Sequence, residues 1–418
     1  MHGVVSDEGT WWSRPGFEAV DGRLAIAGHD VEELAREHGT PLYVYDLTHA
    51  QEQVRSLQDA LERAGVDQRV RFALKAQREP AFLAALRALG EPGDPRAVGM
   101  DVCSPGELEW ARANGFEVGE ISYTGTNLSE RDLDRILPTG CHLNVDLLSQ
   151  IERVGKRAPG INVGIRVNPR SGASLEATGE TLYAGSKPTK FGVYPERLEE
   201  AVDVARRFDL EIDTVHVHSG YLYLDGQLDM VEETIRRVAG MTRTLQALGC
   251  PVTEVNTGGG LGVPFRPGDR PLDLDRWAGI MARHLTPLGV AVGTEPGEFI
   301  AKGAGSLVAE VVTVEDREGT VFVGVDAGWN IACEHFAYHL PFHPILCRAA
   351  DAPPSTPVTM AGHINEGDDL FAENWPLPEV REGDIVAIPN VGSYNASMTS
   401  EHCLREPARV VAFGERTR

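Results

Sequence analysis

No stretch of this chain approaches the roughly 18 consecutive apolar residues that a membrane-spanning helix requires. A basic segment followed by an apolar one is also missing from its start, so a cytoplasmic protein is expected. Positive charge is scarce as well: 39 Lys and Arg stand against 62 Asp and Glu, a net charge of −23. That balance argues against nucleic acid or an anionic membrane surface as a partner. Cysteine is sparse and scattered: Cys103, Cys141, Cys250, Cys333, Cys347 and Cys403 form no Cys-x-x-Cys pair and are expected to be free thiols. The thirteen histidines assemble no zinc motif, and no metal site is expected.

What is present describes a globular protein large enough for two domains, with 418 residues, 42% of them hydrophobic and 24% charged. Between residues 42 and 300, short strand-like runs alternate with amphipathic helical ones. Strands are predicted at Leu42–Tyr45, Val70–Leu74, Gly99–Val102, Ile121–Thr124, Cys141–Val145, Ile161–Val167, Asp213–His218, Val252–Asn256 and Val290–Thr294. Asp46 is a natural N-cap for the first helix. So many βα units predict an α/β fold, a (β/α)8 barrel of TIM type over 42–300. After Ala301 the texture changes to short β runs (Ser306–Val314, Thr320–Val325, Pro357–Ala361, Asp384–Ile388, Arg409–Phe413). Residues 301–418 therefore read as a mainly antiparallel β domain, joined by residues 1–41 with Leu24–Ala27 as a strand.

Chemistry-bearing residues fall at the C-terminal ends of the predicted barrel strands, where barrel enzymes place their sites. Lys75 closes the run from Val70, His218 closes another, Gly258-Gly259-Gly260 follows a third and Glu295 a fourth. A lysine ending an apolar run is usually a solvent-facing strand end, and a helix cap or a turn could explain each of the others singly. Four such coincidences point to a site.

The ordered set Phe72 to Ala76, Gly99 to Leu108, Lys190-Phe191-Gly192, Asn256 to Gly262, Glu295-Pro296-Gly297 and Asp326-Ala327-Gly328 resembles the fold-type III pyridoxal phosphate (PLP) enzymes. Within them it resembles the diaminopimelate decarboxylase-like branch, from Tyr43 to Pro407. The resemblance implies that Lys75 holds PLP as a Schiff base, a role expected of an amine partly neutralised by its surroundings. It implies that Glu295 keeps the pyridine nitrogen protonated and that His218 stacks on the ring. Gly258, Gly259 and Gly260, with the backbone of Gly297 and Glu298, would meet the phosphate. Arg166 and Tyr394 would also reach the cofactor. Glu298, Glu334, Tyr338, Asn365 and Glu366 would line the substrate. In this family the site lies between the subunits of a homodimer, so Glu366 and Tyr394 would serve the partner's Lys75.

The departures from that pattern bear on the substrate. Diaminopimelate decarboxylases typically read Glu-Pro-Gly-Arg where this chain has Glu298, and carry a second arginine where it has Glu334. Both arginines are associated in the family with the distal carboxylate of the substrate. Their inversion to acid favours a cationic or neutral distal group over diaminopimelate. The family cysteine that reprotonates the decarboxylated carbon is replaced by Asn365, which carries no labile proton, leaving His363 as the candidate donor and Cys403 as another. Further departures are Tyr221, Leu128 and Ser400 to Cys403. They suggest a specialised relative from secondary metabolism.

The expected protein is thus a homodimeric PLP-dependent amino-acid decarboxylase. Rival readings are a racemase or epimerase on the same fold, a decarboxylase of a carrier-tethered amino acid, and a catalytically weak PLP-binding protein.

Overall fold

The computed structural model describes residues 11–174, 183–185, 187–340 and 342–414. Parts of the expected β-rich domain, 1–10 and 415–418, lie outside the described residues. The chain divides into two compact units, one of Gln51–Val263 with Arg270–Ile300, the other of Met1–Ala50 with Pro264–Asp269 and Ala301–Arg418. No described helix is long and apolar enough to cross a membrane.

The first unit is a closed eight-stranded parallel barrel. Its strands are Gln68–Ala73, Gly99–Val102, Ile121–Thr124, His142–Val145, Asn162–Arg166, Glu211–His216, Glu254–Asn256 and Ala291–Thr294. Each pairs with the next in sequence, and Thr294 opposite Val70 closes the ring. Helices that return the chain between strands are marked by their caps. Ser104 accepts from the Glu107 N–H at 3.1 Å with Pro105 at the first helical position, and Ser129 forms a reciprocal capping box with Asp132.

The register sets one row of inward positions. Arg166 lies opposite His216, His216 opposite Asn256, and Asn256 opposite Gly293. Glu295 follows Gly293 by two residues, and the two-residue period of a strand turns it to the same face.

The second unit is built on the strand Gly305–Arg317, which pairs antiparallel with Leu42–Asp46, Ile385–Ile388 and Thr320–Val325. Leu42–Asp46 also pairs parallel with Arg409–Phe413. A three-stranded antiparallel sheet (Phe17–Val20, Arg23–Ile26, His29–Asp30) belongs to this unit. Its core gathers Trp12, Phe17, Leu24, Ile26, Leu42, Val44, Val308 and Ala387.

One predicted barrel strand moves. Leu42–Tyr45 is a fully buried strand, but of the β-rich unit, and the barrel consists of the eight that follow it. An apolar run buried on both faces reads alike in either sheet. The expected boundary of 42–300 shifts accordingly, and residues 264–269 also fall outside the barrel unit.

Candidate active site

In the barrel unit, Lys75 sits in the single 3-10 turn Leu74–Ala76 that follows its strand, 44% exposed, with Nζ 3.8 Å from Asp101 Oδ2. Asp101 is buried, and its Oδ1 has no hydrogen-bond partner among the described residues. Glu295, 6% exposed, has both carboxylate oxygens engaged: Asn256 Nδ2 donates to Oε1 at 2.6 Å and His216 Nε2 to Oε2 at 2.9 Å.

These groups titrate as a set. Desolvation alone would push the Glu295 carboxyl up, but His216, Lys75 and Arg71 outweigh it and hold the group down at about 2. Asp101 has no such donors, so burial and the neighbouring Glu295 charge push it well above the carboxylate range. Desolvation works against the Lys75 ammonium, yet Asp101, Cys103 and Glu295 together raise it.

His218 meets the edge of the Tyr183 ring at 4.4 Å between centroids. Burial, then the cations Arg166 and Lys75, drive its imidazole well below its usual range, so it is neutral. Arg166 is mostly buried at its strand end, with its guanidinium 4.3 Å from the Phe191 ring centroid. Gly258, Gly259 and Gly260 form a cradle that no side chain could share. A Cβ on Gly259 would lie 2.5 Å from the Glu295 carbonyl oxygen, and one on Gly260 would lie 2.3 Å from that of Gly220. The Gly258 N–H is committed to Asn256 Oδ1 at 2.9 Å. Gly297 and Glu298 are buried where the short helix Glu298–Ala301 begins.

In the β-rich unit, Tyr394 adopts a left-handed φ of 53° and meets Tyr338 edge-on, with centroids 6.5 Å apart. Glu334 is fully buried, and its Oε2 accepts from Lys302 Nζ at 2.6 Å. Its charge is thus matched within the unit. The His363 N–H donates to the Ala327 carbonyl at 2.9 Å, and its Nε2 is buried without a hydrogen-bond partner among the described residues. Asn365 and Glu366 are exposed on the same loop, with Glu366 Oε1 3.1 Å from His402 Nε2.

Sequence reasoning did not assign roles to His216, Asn256, Asp101, Tyr183 or Lys302. The first two could be found only through the register that sets them beside Glu295.

The family model described as the pyridoxal-binding domain of pyridoxal-dependent decarboxylases matches residues 47–302. The chain belongs to that family. Its similarity to the diaminopimelate decarboxylase of Methanothermobacter thermautotrophicus is 36% identity over 408 residues, 95% of this chain and 92% of the relative. The Streptomyces coelicolor diaminopimelate decarboxylase is 32% identical over 90% of this chain and 85% of its own. Among solved structures, the diaminopimelate decarboxylase of M. jannaschii in complex with L-lysine superposes with a TM-score of 0.84 at 27% identity, covering 95% of this chain and 92% of that one. The Helicobacter pylori diaminopimelate decarboxylase complexed with L-lysine gives 0.80 at 28%, covering 92% and 94%. The enzyme is a PLP-dependent amino-acid decarboxylase of the diaminopimelate decarboxylase-like branch.

The residues present fit PLP. The barrel mouth offers an accessible amine, a carboxylate kept ionised by His216, Lys75 and Arg71, a neutral imidazole and a glycine cradle closed to any Cβ. When bound, the cofactor supplies an electron sink for the carbon that loses its carboxylate.

Proposed function

We propose that this decarboxylase acts on an amino acid whose distal end is cationic or neutral, and that diaminopimelate is not its substrate. The observation that carries this reading is the pair of glutamates, Glu298 and Glu334, where the family pattern has arginines for a distal carboxylate. A carboxylate brought beside Glu298 and the already balanced Lys302–Glu334 pair pays desolvation without the two arginine counter-ions of the family pattern. The names of the relatives favour diaminopimelate, but the family charge pattern at these two positions is not repeated here.

In this reading Lys75 anchors the cofactor, Glu295 faces the pyridine nitrogen, and His218 covers the ring. Arg166 and the Gly259 and Gly260 N–H groups, with the backbone of Gly297 and Glu298, hold the phosphate end. His363 returns a proton to the decarboxylated carbon. The enzyme is a homodimer in which Glu366 and Tyr394 of one copy complete the site around Lys75 of the other, with Tyr338 and Asn365 lining the substrate. Mixing an inactive Lys75→Ala protein with an inactive Tyr394→Ala protein should then restore activity, and failure to restore it removes the shared site.

The substrate reading is tested in D2O with L and D forms of lysine, ornithine, arginine and glutamine, and with meso-diaminopimelate, following CO2 loss and deuterium uptake by mass spectrometry. CO2 from a cationic or neutral amino acid, with diaminopimelate untouched, is the expected result. Efficient loss of CO2 from diaminopimelate overturns the substrate reading. Deuterium uptake without CO2 would make the enzyme a racemase or epimerase, a reading that Asn365 in place of the proton-donating cysteine also permits.

A further inference from the structure

Lys302 and Glu334 are both 0% exposed, and the contact between Nζ and Oε2 is 2.6 Å. The ring centroid of Phe265 lies 5.2 Å from the same ammonium. Asn395 clamps the acid at two points. Its Oδ1 accepts from the Glu334 backbone N–H at 3.1 Å, and its Nδ2 donates to Glu334 Oε2 at 3.2 Å. That Nδ2 also donates to the Ser393 carbonyl at 2.8 Å, and the Lys302 carbonyl accepts from the Gly392 N–H at 3.1 Å. The ion pair is therefore fastened from both sides to the turn that carries Tyr394.

Lysine is almost never fully buried unless paired. Desolvation of the two ions offsets much of their attraction, so such a pair is weak evidence of a stabilising role. A role in selecting what may approach is better matched to its position beside Tyr394.

We propose that Lys302 is a specificity-determining residue, a built-in counter-ion that neutralises Glu334 and selects a substrate whose distal end is an uncharged hydrogen-bonding group such as an amide, hydroxyl or ester. This rests on the decarboxylase reading and on Glu334 standing where the family pattern has a substrate-binding arginine. A distal ammonium would have to compete with Lys302 for Glu334 and would leave one buried cation short of its partner. A distal carboxylate would add a second acid to a pair already balanced. A neutral polar group displaces no charge, and discrimination follows from the cost imposed on the others.

The test uses the cofactor-loaded enzyme, its Lys302→Met variant and the charge-exchanged pair Lys302→Glu with Glu334→Lys. Glutamine and citrulline are compared with lysine, ornithine and meso-diaminopimelate. The readouts are kcat and KM for CO2 release, and substrate affinity from the change in cofactor absorbance. The parent should favour the neutral pair by about tenfold or more. Lys302→Met should raise kcat/KM for lysine and ornithine relative to glutamine by a similar factor, mostly through KM. Parent turnover of lysine or diaminopimelate above that of both neutral substrates overturns the proposal, as does an unmoved ratio in a folded Lys302→Met. Should that variant not fold, the charge-exchanged protein restores the pair and must keep the neutral preference; a changed preference there also overturns it. Failure of the decarboxylase reading is distinguishable, because no amino acid would then release CO2 while the absorbance titration would still rank the ligands.

Discussion

His216 Nε2 lies 2.9 Å from Glu295 Oε2 in the interior of the barrel, and both side chains are almost wholly shielded from water. Asn256 donates to the other oxygen, and His216 with Lys75 and Arg71 keeps the carboxylate charged where burial alone would have protonated it. Burial lowers the pKa of His216 itself, so the ring is neutral and Nε2 holds the proton it donates. An acid that is ionised in a dry site is what a pyridine nitrogen needs if it is to stay protonated.

Removal of that donor should be felt in the chemistry more than in the fold. His216→Leu is expected to lower kcat by roughly 10- to 150-fold, the equivalent of the 1.5–3 kcal/mol carried by a hydrogen bond to a charged group. His216→Gln, which can still donate, should recover part of the loss. Glu295 stays ionised in the parent as pH falls through the ordinary carboxylate range, because its folded value is about 2. In His216→Leu the value rises, so the cofactor absorbance should begin to change at a higher pH on acid titration. An acid limb identical to the parent's would show that the remaining neighbours, Lys75, Arg71 and Asn256, fix the charge without His216.

The two buried acids near Lys75 should respond unequally to neutral replacement. Asp101 is already pushed toward its protonated form by burial and by Glu295, so Asp101→Asn resembles what the fold prefers. It should leave the melting temperature nearly unchanged and reduce kcat far less than Glu295→Gln. The latter removes a charge that two donors are arranged to meet, and a loss of about 10²–10⁴ in kcat is expected, comparable to the removal of a positioned acid or base. Equal losses for the two variants would contradict the assignment of the charge to Glu295.

Much of this was legible in the chain, for physical reasons that differ by element. The eight barrel strands from Val70 to Thr294 announce themselves because apolar runs alternate with amphipathic helices, and Lys75, His218 and Glu295 stand out because they end such runs. Leu42–Tyr45 was misplaced, since complete burial erases the alternation that tells one sheet from another. The strand Leu370–Leu377 went unseen because Asn374 adopts a positive φ and Pro376 interrupts its pattern, both in a pairing with register shifts. The Lys302–Glu334 pair joins residues 32 apart in sequence, and nothing local predicts that a glutamate in an arginine's place will find its own lysine.

Gly259→Ala tests the cradle. Its added Cβ would lie 2.5 Å from the Glu295 backbone carbonyl, a contact that a rigid backbone cannot relieve by rotating a side chain. The strain should cost about 1–3 kcal/mol of stability and weaken cofactor retention, measured by dialysis and absorbance. Gly268→Ala, with nothing within 4 Å of the added carbon but a φ of +88°, controls for backbone strain in a loop of the other unit. It should lose stability without losing cofactor. Equal cofactor loss in both would reduce the cradle to a general folding effect.

His363 carries the most exposed claim about the chemistry. Burial, followed by the charge of Arg405, lowers its imidazole pKa below the usual value, so at neutral pH the ring is uncharged. The protonated form, the better donor, becomes populated only as pH falls toward that depressed value. If His363 returns the proton, kcat should rise on mild acidification of the parent, over a range in which Glu295 remains ionised. His363→Asn should flatten that rise, slow turnover by about 10²–10⁴ and leave the bound-cofactor absorbance intact. A solvent deuterium isotope effect on kcat that is present in the parent and changed in the variant would place the residue in the proton-transfer step. An unaltered rate and pH profile would remove His363 from the reaction and send the search to another donor, Cys403 among them.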